Sequence, residues 1–437
     1  MRRLTTAYLV LSLSCVLLTA GQSSVQPPPC GNQTSGSAGR LLQKRCEQVN
    51  KVTPPKISKV AAALAEAEAR GFEPYLAYRV KDWRLGLGKV SPGSGFAPSI
   101  QFEKTRLGGP DLQLYLGASA SFTGYQVYAL RFGAFENPAP YDFTGHGFLG
   151  APFEFDNRTQ EKTGGFLYGD VRYGIFPRER FYGLYQDAEL GVRTDYLYEE
   201  AAFDLVAGYQ LVRWLAFQVR GGYLPTNVGR GNNDRTSAPE EIFKPESVPG
   251  LLSQRDYFHL DSGLYLAFEG DPEIPAAAFA LGYGLFRGRE DSLFNFRRVS
   301  LDGRGYLPLG SRQRTLAARL WASRDYADNG AQVPFYMMRA LGGHETLRGY
   351  APRRFRGSNI LYGSTEYRWE ADPAVELAVF YDIGKAFAHR DEFTFNGARH
   401  SIGAGIRFKS LRRTVLRFDV GKGKEGVVFN IAFGPSF

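Results

Sequence analysis

The chain has 437 residues, a formal net charge of +9 and 14% aromatic residues. Its basic residues are dispersed, so no nucleic-acid partner is predicted. Beyond the N-terminal signal region no window of about 18 apolar residues occurs, which excludes an ordinary membrane-spanning helix. A high aromatic content without apolar blocks is typical of alternating strands with aromatic girdles.

The N-terminal region carries the features of an export signal. Two arginines precede an apolar run that ends in small residues, so residues 1–21 are predicted to be a cleaved signal peptide. Residues 22–55 are rich in Pro, Gly, Ser and Gln and predict a flexible periplasmic tail. Cys30 and Cys46 lie in this tail, where a small disulfide loop and two unpaired thiols both fit the pattern.

A short amphipathic helix is predicted over residues 56–71. Its apolar side chains share one face, the segment is rich in Ala and Glu, and Gly71 is placed to end it. A segment of this length cannot form a domain. We expect it to lie at the mouth or on the periplasmic rim of the barrel that the following residues are predicted to form. A loosely ordered linker is the alternative.

Residues 75–437 are predicted to be all-β and to form a transmembrane antiparallel barrel. Apolar and polar residues alternate in segments separated by Gly, Pro, Asp and Asn; Ile402 and Ile406, for example, alternate with Ser401 and Arg407. Charges on the second face favour a wet lumen over a dry core. At roughly 10 residues per membrane strand, plus turns and loops, the region supplies about 16 strands.

Three longer stretches interrupt this pattern. Residues 135–163 and 225–254 are rich in Pro, Gly and Asn and predict external loops. The third stretch, from about residue 323 to 356, contains the sequence LGGHETLRGY. Taken alone, its arginine between small residues would be a solvated turn.

The two strands that follow change the interpretation of Arg348. Alternation along the first places Glu366 on the lumenal face, and alternation along the second places Asp382 there too. A guanidinium inside a barrel is costly unless carboxylates meet it, and its fork of donors can serve two. Arg348 is therefore predicted to fix the loop in the lumen, with Gly349 allowing a tight backbone approach.

These motifs resemble the BamA/TamA family of outer-membrane assembly and translocation barrels, also called bacterial surface antigens. The segments LGGHETLRGY, GSTEYRW and AVFYDIGKAF, in that order, carry the resemblance. It implies a long extracellular loop that folds into the lumen and is held by acidic residues of neighbouring strands. Matched residue by residue, the tip is Leu347, Arg348, Gly349 and Tyr350, and the acidic partners are Glu366 and Asp382. Gly342 and Gly343 are the predicted loop glycines.

The last eleven residues, 427–437, alternate between an apolar aromatic face and a small, mostly polar face. In a membrane barrel the apolar face of such a strand meets lipid. The resemblance implies that this strand also carries the signal by which such barrels are themselves assembled. The residues of that signal are Phe429, Ile431, Phe433 and Phe437.

The resemblance further implies an outer-membrane protein, with a periplasmic N-terminus, that assists insertion or translocation of proteins, or of lipid. A weak seam between the first strand, near residues 95–104, and the last, 426–437, would open sideways; Pro435 weakens it because it cannot donate to the ladder. Expected partners are outer-membrane lipid, lipopolysaccharide and unfolded outer-membrane or secreted proteins. Accessory subunits are not identified.

Family members of this kind usually carry periplasmic POTRA modules, whereas only the tail and one helix are predicted before this barrel. The sequence therefore predicts a barrel-only branch. A passive pore or structural barrel without insertase activity is the alternative function. A soluble all-β binding protein is a third hypothesis.

No catalytic, cofactor or metal site is predicted. The five histidines are scattered, and no phosphate loop or nucleophile elbow occurs. Residues 145–150, GHGFLG, fit a dinucleotide fingerprint but follow no buried strand and open no helix, so a Gly-rich loop is favoured.

Overall fold

The structure, a computed structural model, describes part of the chain. The described residues are 72–73, 77–107, 112–134, 163–185, 188, 192–233, 235–268, 276–409 and 414–437. The predicted signal peptide, tail and helix, both mature cysteines and the GHGFLG segment lie outside them. In the described part, no helix has the length and apolar character needed to cross a membrane.

Nineteen strands of the described chain belong to one sheet, and every pair of strands within it is antiparallel. A separate two-stranded hairpin, a short helix, α1, and two 3₁₀ helices, Phe335–Met337 and Arg390–Glu392, complete the regular structure of the described residues. The bounds are β1 Phe72–Glu73, β2 Ala77–Val80, β3 Trp83–Gly88, β4 Ala97–Lys104, β5 Leu112–Ala120, β6 Gln126–Ala134, β7 Gly164–Phe181, β8 Thr194–Val212, β9 Leu215–Leu224, β10 Thr226–Arg230, α1 Pro239–Ile242, β11 Tyr257–Phe268, β12 Ala277–Gly288, β13 Phe296–Leu309, β14 Ser311–Ala327, β15 Arg339–Leu341, β16 Phe355–Gly357, β17 Asn359–Asp372, β18 Val375–Phe387, β19 Arg399–Lys409, β20 Thr414–Gly423 and β21 Gly426–Phe433.

The predicted all-β antiparallel fold is confirmed. Pro225 has no N–H to donate and separates β9 from β10, yet both pair with β8 and act as one interrupted strand. The strands β1 and β2 are short extensions at the N-terminal edge. Without these two, and with β9 and β10 counted once, 19 − 2 − 1 leaves sixteen strands of the described sheet. The prediction of a loop from residue 225 is wrong for β10.

Alternation along each strand separates an apolar outer face from a polar inner face. On β19, Ile402 is 62% exposed and Ile406 44%, whereas Ser401 and Arg407 are buried. Exposed large apolar side chains recur at outward positions of most strands, and buried charged side chains recur at inward positions. This is the reverse of a water-soluble sandwich and the arrangement of a barrel in lipid.

The antiparallel order assigns every connection to one of two ends. We call the end at which β14 leads to β17 the loop end, and the opposite end the turn end. Residues 231–256 lie at the loop end, whereas the connection from β6 to β7 leaves at the turn end. The two stretches predicted as external loops therefore leave at opposite ends, and the prediction is wrong for one of them.

The segment between β3 and β4 meets the last strand, β21, at a contact that we call the seam. Among the described strands β21 pairs with β20 alone, and β3 pairs with β2 and β4. The strand predicted to be first, β4, pairs with β3 on one side and β5 on the other, so that prediction is wrong. Two side-chain contacts cross the seam: Lys89 Nζ donates to Ile431 O at 2.7 Å, and the Phe96 and Phe433 ring centroids lie 6.4 Å apart.

Candidate functional site

Residues 328–358, which we call the lumen loop, turn from the loop end into the barrel. Their apolar stretch needs cover from water, and aromatic side chains on the inner wall provide it. The Phe335 ring centroid lies 4.9 Å from that of Phe181 and 5.1 Å from that of Tyr196. Tyr336 and Met337 are fully buried in the same cluster. The lumen loop is thus a packed part of the core at this end.

The lumen loop reverses direction at its glycines. Gly342 has φ +118° and Gly343 has φ +87°, both in the region that favours glycine. The Gly342 amide donates to Thr346 Oγ1 at 2.8 Å, and the Gly343 amide donates to Tyr350 O at 3.1 Å. These bonds, with the β15–β16 hairpin behind them, fix the tip that carries Arg348.

The structure brings Arg348 together with both predicted acids. Arg348 Nη2 donates to Asp382 Oδ1 at 2.6 Å and Nε donates to Oδ2 at 3.0 Å, so this pair is bidentate. Arg348 Nη1 donates to Glu366 Oε1. The arginine is 1% exposed and both carboxylates are 0% exposed. The guanidinium therefore holds the loop tip against β17 and β18.

Every charge in this cluster has several partners, which a buried ion pair requires. Asp382 also accepts from the Arg348 amide at 3.1 Å, from Ser364 Oγ at 2.8 Å and from Ser401 Oγ at 3.0 Å. Glu366 accepts from Arg368 at 2.8 Å and from Arg407 at 3.0 Å. Apart from the Arg348 amide, these further partners come from two strands, β17 and β19.

The Phe380 ring lies beneath the Arg348 guanidinium, with the carbon Cζ 3.4 Å from the ring centroid. This is a cation–π contact in a water-poor setting, where such contacts are strongest. Alternation places Phe380 in the lumen, but the sequence gives no sign that its ring would meet Arg348, because that contact depends on how deep the loop tip lies.

The backbone of the lumen loop approaches the barrel wall closely at Gly349, as expected. The glycine is needed there because the wall leaves no room for a Cβ, and not because the chain turns. A Cβ at Gly349 would lie 2.6 Å from Gly423 N, and one at Gly421 would lie 2.6 Å from Arg348 C. Asn430 Nδ2 on β21 donates to Arg348 O at 2.9 Å. The loop tip thus rests directly on the last two strands, beside the seam.

The neighbouring tip residues are buried. Leu347 is 0% and Tyr350 1% exposed, and Lys424 N donates to Tyr350 Oη at 3.2 Å in the β20–β21 turn. Arg417 on β20 donates to His344 O at 2.8 Å. Backbone and side-chain bonds therefore join the lumen loop to β20 and to its turn.

The C-terminal residues divide between the two faces. Phe429 and Ile431 are exposed on the outer face, 78% and 43%, but β21 ends at Phe433. Gly434 has φ +79°, which interrupts the extended alternation, and Phe437 is buried. The prediction that Phe437 shares the outward face of Phe429 is wrong for this reason.

The inward turn carries the end of the chain to the Arg348 cluster. Ser436 Oγ donates to Glu366 Oε2 at 2.9 Å, and Tyr306 Oη on β13 donates to Phe437 O at 2.8 Å. The Arg368 guanidinium carbon lies 5.0 Å from the Phe437 ring centroid. The terminus therefore shares Glu366 with the lumen loop.

No group of three or more potential metal ligands occurs among the residues that the structure describes. The buried carboxylates of this cluster are matched by guanidinium and hydroxyl donors. What the arrangement can do is mechanical: it holds a loop, two wall strands and the last two strands in one register.

Residues 263–437, which contain the lumen loop, both acids and β12 to β21, match the Omp85 superfamily domain. This part of the chain is similar to that domain. The match confirms the predicted resemblance to outer-membrane barrels of the BamA/TamA type. A search of curated proteins finds no significant match to the sequence.

Two solved structures align with the chain at low sequence identity. BamA from Haemophilus ducreyi lacking POTRA domains 1–3 aligns with a TM-score of 0.56 and 17% identity, over 86% of this chain and 78% of that one. CdiB from Acinetobacter baumannii aligns with a TM-score of 0.44 and 13% identity, over 82% of this chain and 60% of that one. The first of these alignments shows that the chain shares the fold of the BamA barrel.

Proposed function

We propose that this Omp85 barrel assists the insertion or translocation of proteins at the outer membrane, with the loop end outside and the N-terminal region in the periplasm. The observation that supports it best is the position of the loop tip. Arg348 and Gly349 rest on β20 and β21, so the internal loop braces the strand that borders the seam.

The mechanism is physical. Among the described strands, β21 pairs with β20 alone. If the contacts across the seam break, backbone donors and acceptors along the other edge of β21 become accessible to an incoming strand, which can pair with them as in strand addition. The two contacts that cross the seam both lie near the C-terminal end of β21, which ends at Phe433 before Gly434 turns the chain inward. The Lys89 to Ile431 bond is one contact that must break.

A passive pore is the alternative, and the loop end of the lumen disfavours it. Val333 and the segment Phe335–Met338 are buried among aromatic side chains of the wall. An open channel requires a wet path through this end of the barrel, where the described residues form an apolar core.

A disulfide across the seam tests the proposal. Phe96→Cys with Phe433→Cys joins β21 to the segment that follows β3, in a background where Cys30 and Cys46 are serine. The matched control, Ile406→Cys with Phe418→Cys, joins two strands that are already paired. Levels of other outer-membrane proteins are measured in cells that depend on each variant, with and without reductant.

We expect oxidation of the seam pair, and not of the control pair, to lower those levels, and reductant to restore them. Unchanged levels with a fully formed seam disulfide contradict seam opening. Large, steady single-channel conductance together with unchanged levels on deletion of the protein favours the pore.

A further inference from the structure

We propose that an outward-facing group of arginines at the loop end binds the phosphorylated headgroup of lipopolysaccharide. The group, which we call the arginine patch, consists of Arg287 on β12, Arg297 on β13, and Arg324 with Tyr326 on β14. The inference rests on the orientation given under the proposed function, because lipopolysaccharide occupies the outer leaflet.

Strand register places these residues on one contiguous surface. Arg297 is paired with Leu285 on one side and with Tyr326 on the other. Arg287 lies two residues after Leu285 on the outward face of β12. Arg324 lies two residues before Tyr326 on the outward face of β14. These side chains point outward because their neighbours in sequence, Arg298 and Asp325, point into the lumen. There Arg298 and Asp325 form a buried bidentate pair.

The patch carries uncompensated positive charge. The side chains of Arg287 and Arg297 are 41% and 48% exposed, and both reach the single carboxylate of Asp328. Among the described residues, no carboxylate lies within ion-pair distance of Arg324. Its guanidinium carbon instead lies 4.5 Å from the Tyr326 ring centroid. Three guanidiniums and one carboxylate leave two positive charges facing outward.

Below the patch, the same strands present an apolar wall. Val299, Leu301 and Leu320 are exposed on the outer face, closer to the middle of their strands. At the turn end, outward positions such as Leu307 and Leu316 are again apolar. Cations directly above a lipid-facing wall suit an amphiphile whose anionic head lies at the rim and whose acyl chains follow the barrel.

The chemistry of the headgroup follows from the charge and from the donors. Guanidinium forks bind phosphate through paired hydrogen bonds, and three of them can serve more than one phosphate. The lipid A part of lipopolysaccharide offers two phosphates with no cation of its own. A zwitterionic phospholipid brings its own ammonium, which competes with the arginines, and free phosphate gains nothing from the apolar wall.

Binding of purified lipid A to the full chain in detergent micelles tests the inference. The probes are bis-phosphorylated lipid A, the same lipid after removal of both phosphates, phosphatidylglycerol and inorganic phosphate. The variant carries Arg287→Gln, Arg297→Gln and Arg324→Gln. The matched control is Arg314→Gln, an exposed outward arginine at the turn end of β14. Heat-modifiable migration on gels verifies that each barrel is folded.

We expect the triple variant to bind bis-phosphorylated lipid A about tenfold or more weakly, the loss set by one or two charge-assisted hydrogen bonds. Arg314→Gln should bind like the parent, and Arg324→Lys should lose part of the affinity because it keeps the charge without the fork. Equal binding by parent and triple variant overturns the inference. So does tighter binding of phosphatidylglycerol or equal binding of the dephosphorylated lipid.

Orientation is measured separately, so that the two proposals can fail separately. Asp291→Cys lies in a loop-end turn, and its labelling on intact cells by a membrane-impermeant thiol reagent reports that this end is outside. Labelling without lipid A binding overturns the arginine patch alone. Absence of labelling, with labelling after the outer membrane is permeabilised, overturns the orientation and with it the lipopolysaccharide assignment.

Discussion

Gly349 and Gly421 bring the lumen loop and β20 into direct backbone contact: a Cβ added to Gly421 would lie 2.7 Å from Gly349 N. Neither backbone can yield without moving a whole element. The depth at which Arg348 reaches the two acids is therefore set by the absence of two side chains.

Gly421→Ala should push the loop tip away from β20. Overpacking of this kind costs about 1–3 kcal/mol, so we expect a lower unfolding temperature in detergent and faster protease cleavage of the lumen loop. Gly305→Ala on β13 is the control, because a Cβ there meets nothing within 4 Å. Equal effects of the two substitutions would show that the close contact does not control the loop.

Arg348→Ala should leave two buried carboxylates without their shared partner. Removing one side of a buried pair costs about 3–5 kcal/mol, so loop cleavage should rise and activity fall. The two acids differ, because Glu366 keeps Arg368 and Arg407 whereas Asp382 keeps hydroxyl and backbone donors. Asp382→Asn combined with Arg348→Ala should therefore recover part of the lost stability.

A double-mutant comparison by thermal unfolding measures this recovery. Glu366→Gln and Asp382→Asn alone should each reproduce part of the Arg348→Ala effect. If all three single variants keep the unfolding temperature and loop cleavage rate of the parent, Arg348 does not hold the loop.

Phe437 and Phe429 should fail in different ways when truncated. Phe437→Ala removes a buried ring beside Arg368 and should lower the unfolding temperature of the finished barrel, by the equivalent of about 3 kcal/mol. Phe429→Ala removes a ring from the outer face and should leave that temperature nearly unchanged while slowing assembly in cells, if the strand acts as an assembly signal. An equal fall in unfolding temperature for the two variants would contradict a buried Phe437 and an exposed Phe429.

The aromatic core at the loop end should control conductance. Phe335→Ala removes a ring packed between Phe181 and Tyr196 and should let water and ions into the lumen. We expect current in planar bilayers to increase over the parent protein. Phe122→Ala, at a turn position that is 95% exposed, should not change it. Parent-like current after Phe335→Ala would place the barrier to ions elsewhere.

The sequence predicts features that depend on one strand and misses those that depend on several. Period-two alternation is local, so it places Glu366 and Asp382 in the lumen without any knowledge of their neighbours. The contacts of Glu366 with Arg407 and Ser436, and of Phe380 with Arg348, join residues whose distance in space is fixed by register and loop depth. No local pattern contains that information.

Some predicted strand boundaries are wrong because their local causes leave no strong signal in the sequence. The strand β3 has six residues, too few to display a clear alternation, so the sequence alone predicts β4 as the first strand. β10 continues the sheet beyond Pro225 because it still finds β8 as a partner. The inward turn after β21 depends on the φ angle that Gly434 adopts.

The acid that grips the lumen loop obtains its last donor from Ser436, seventy positions further along the chain. Glu366 therefore cannot be fully satisfied until β18, β19, β20 and β21 have been laid down and the terminus has turned inward. A nascent barrel that lacks its final strands therefore leaves Glu366 without Arg407 and Ser436, and leaves Gly349 without the strand on which it rests.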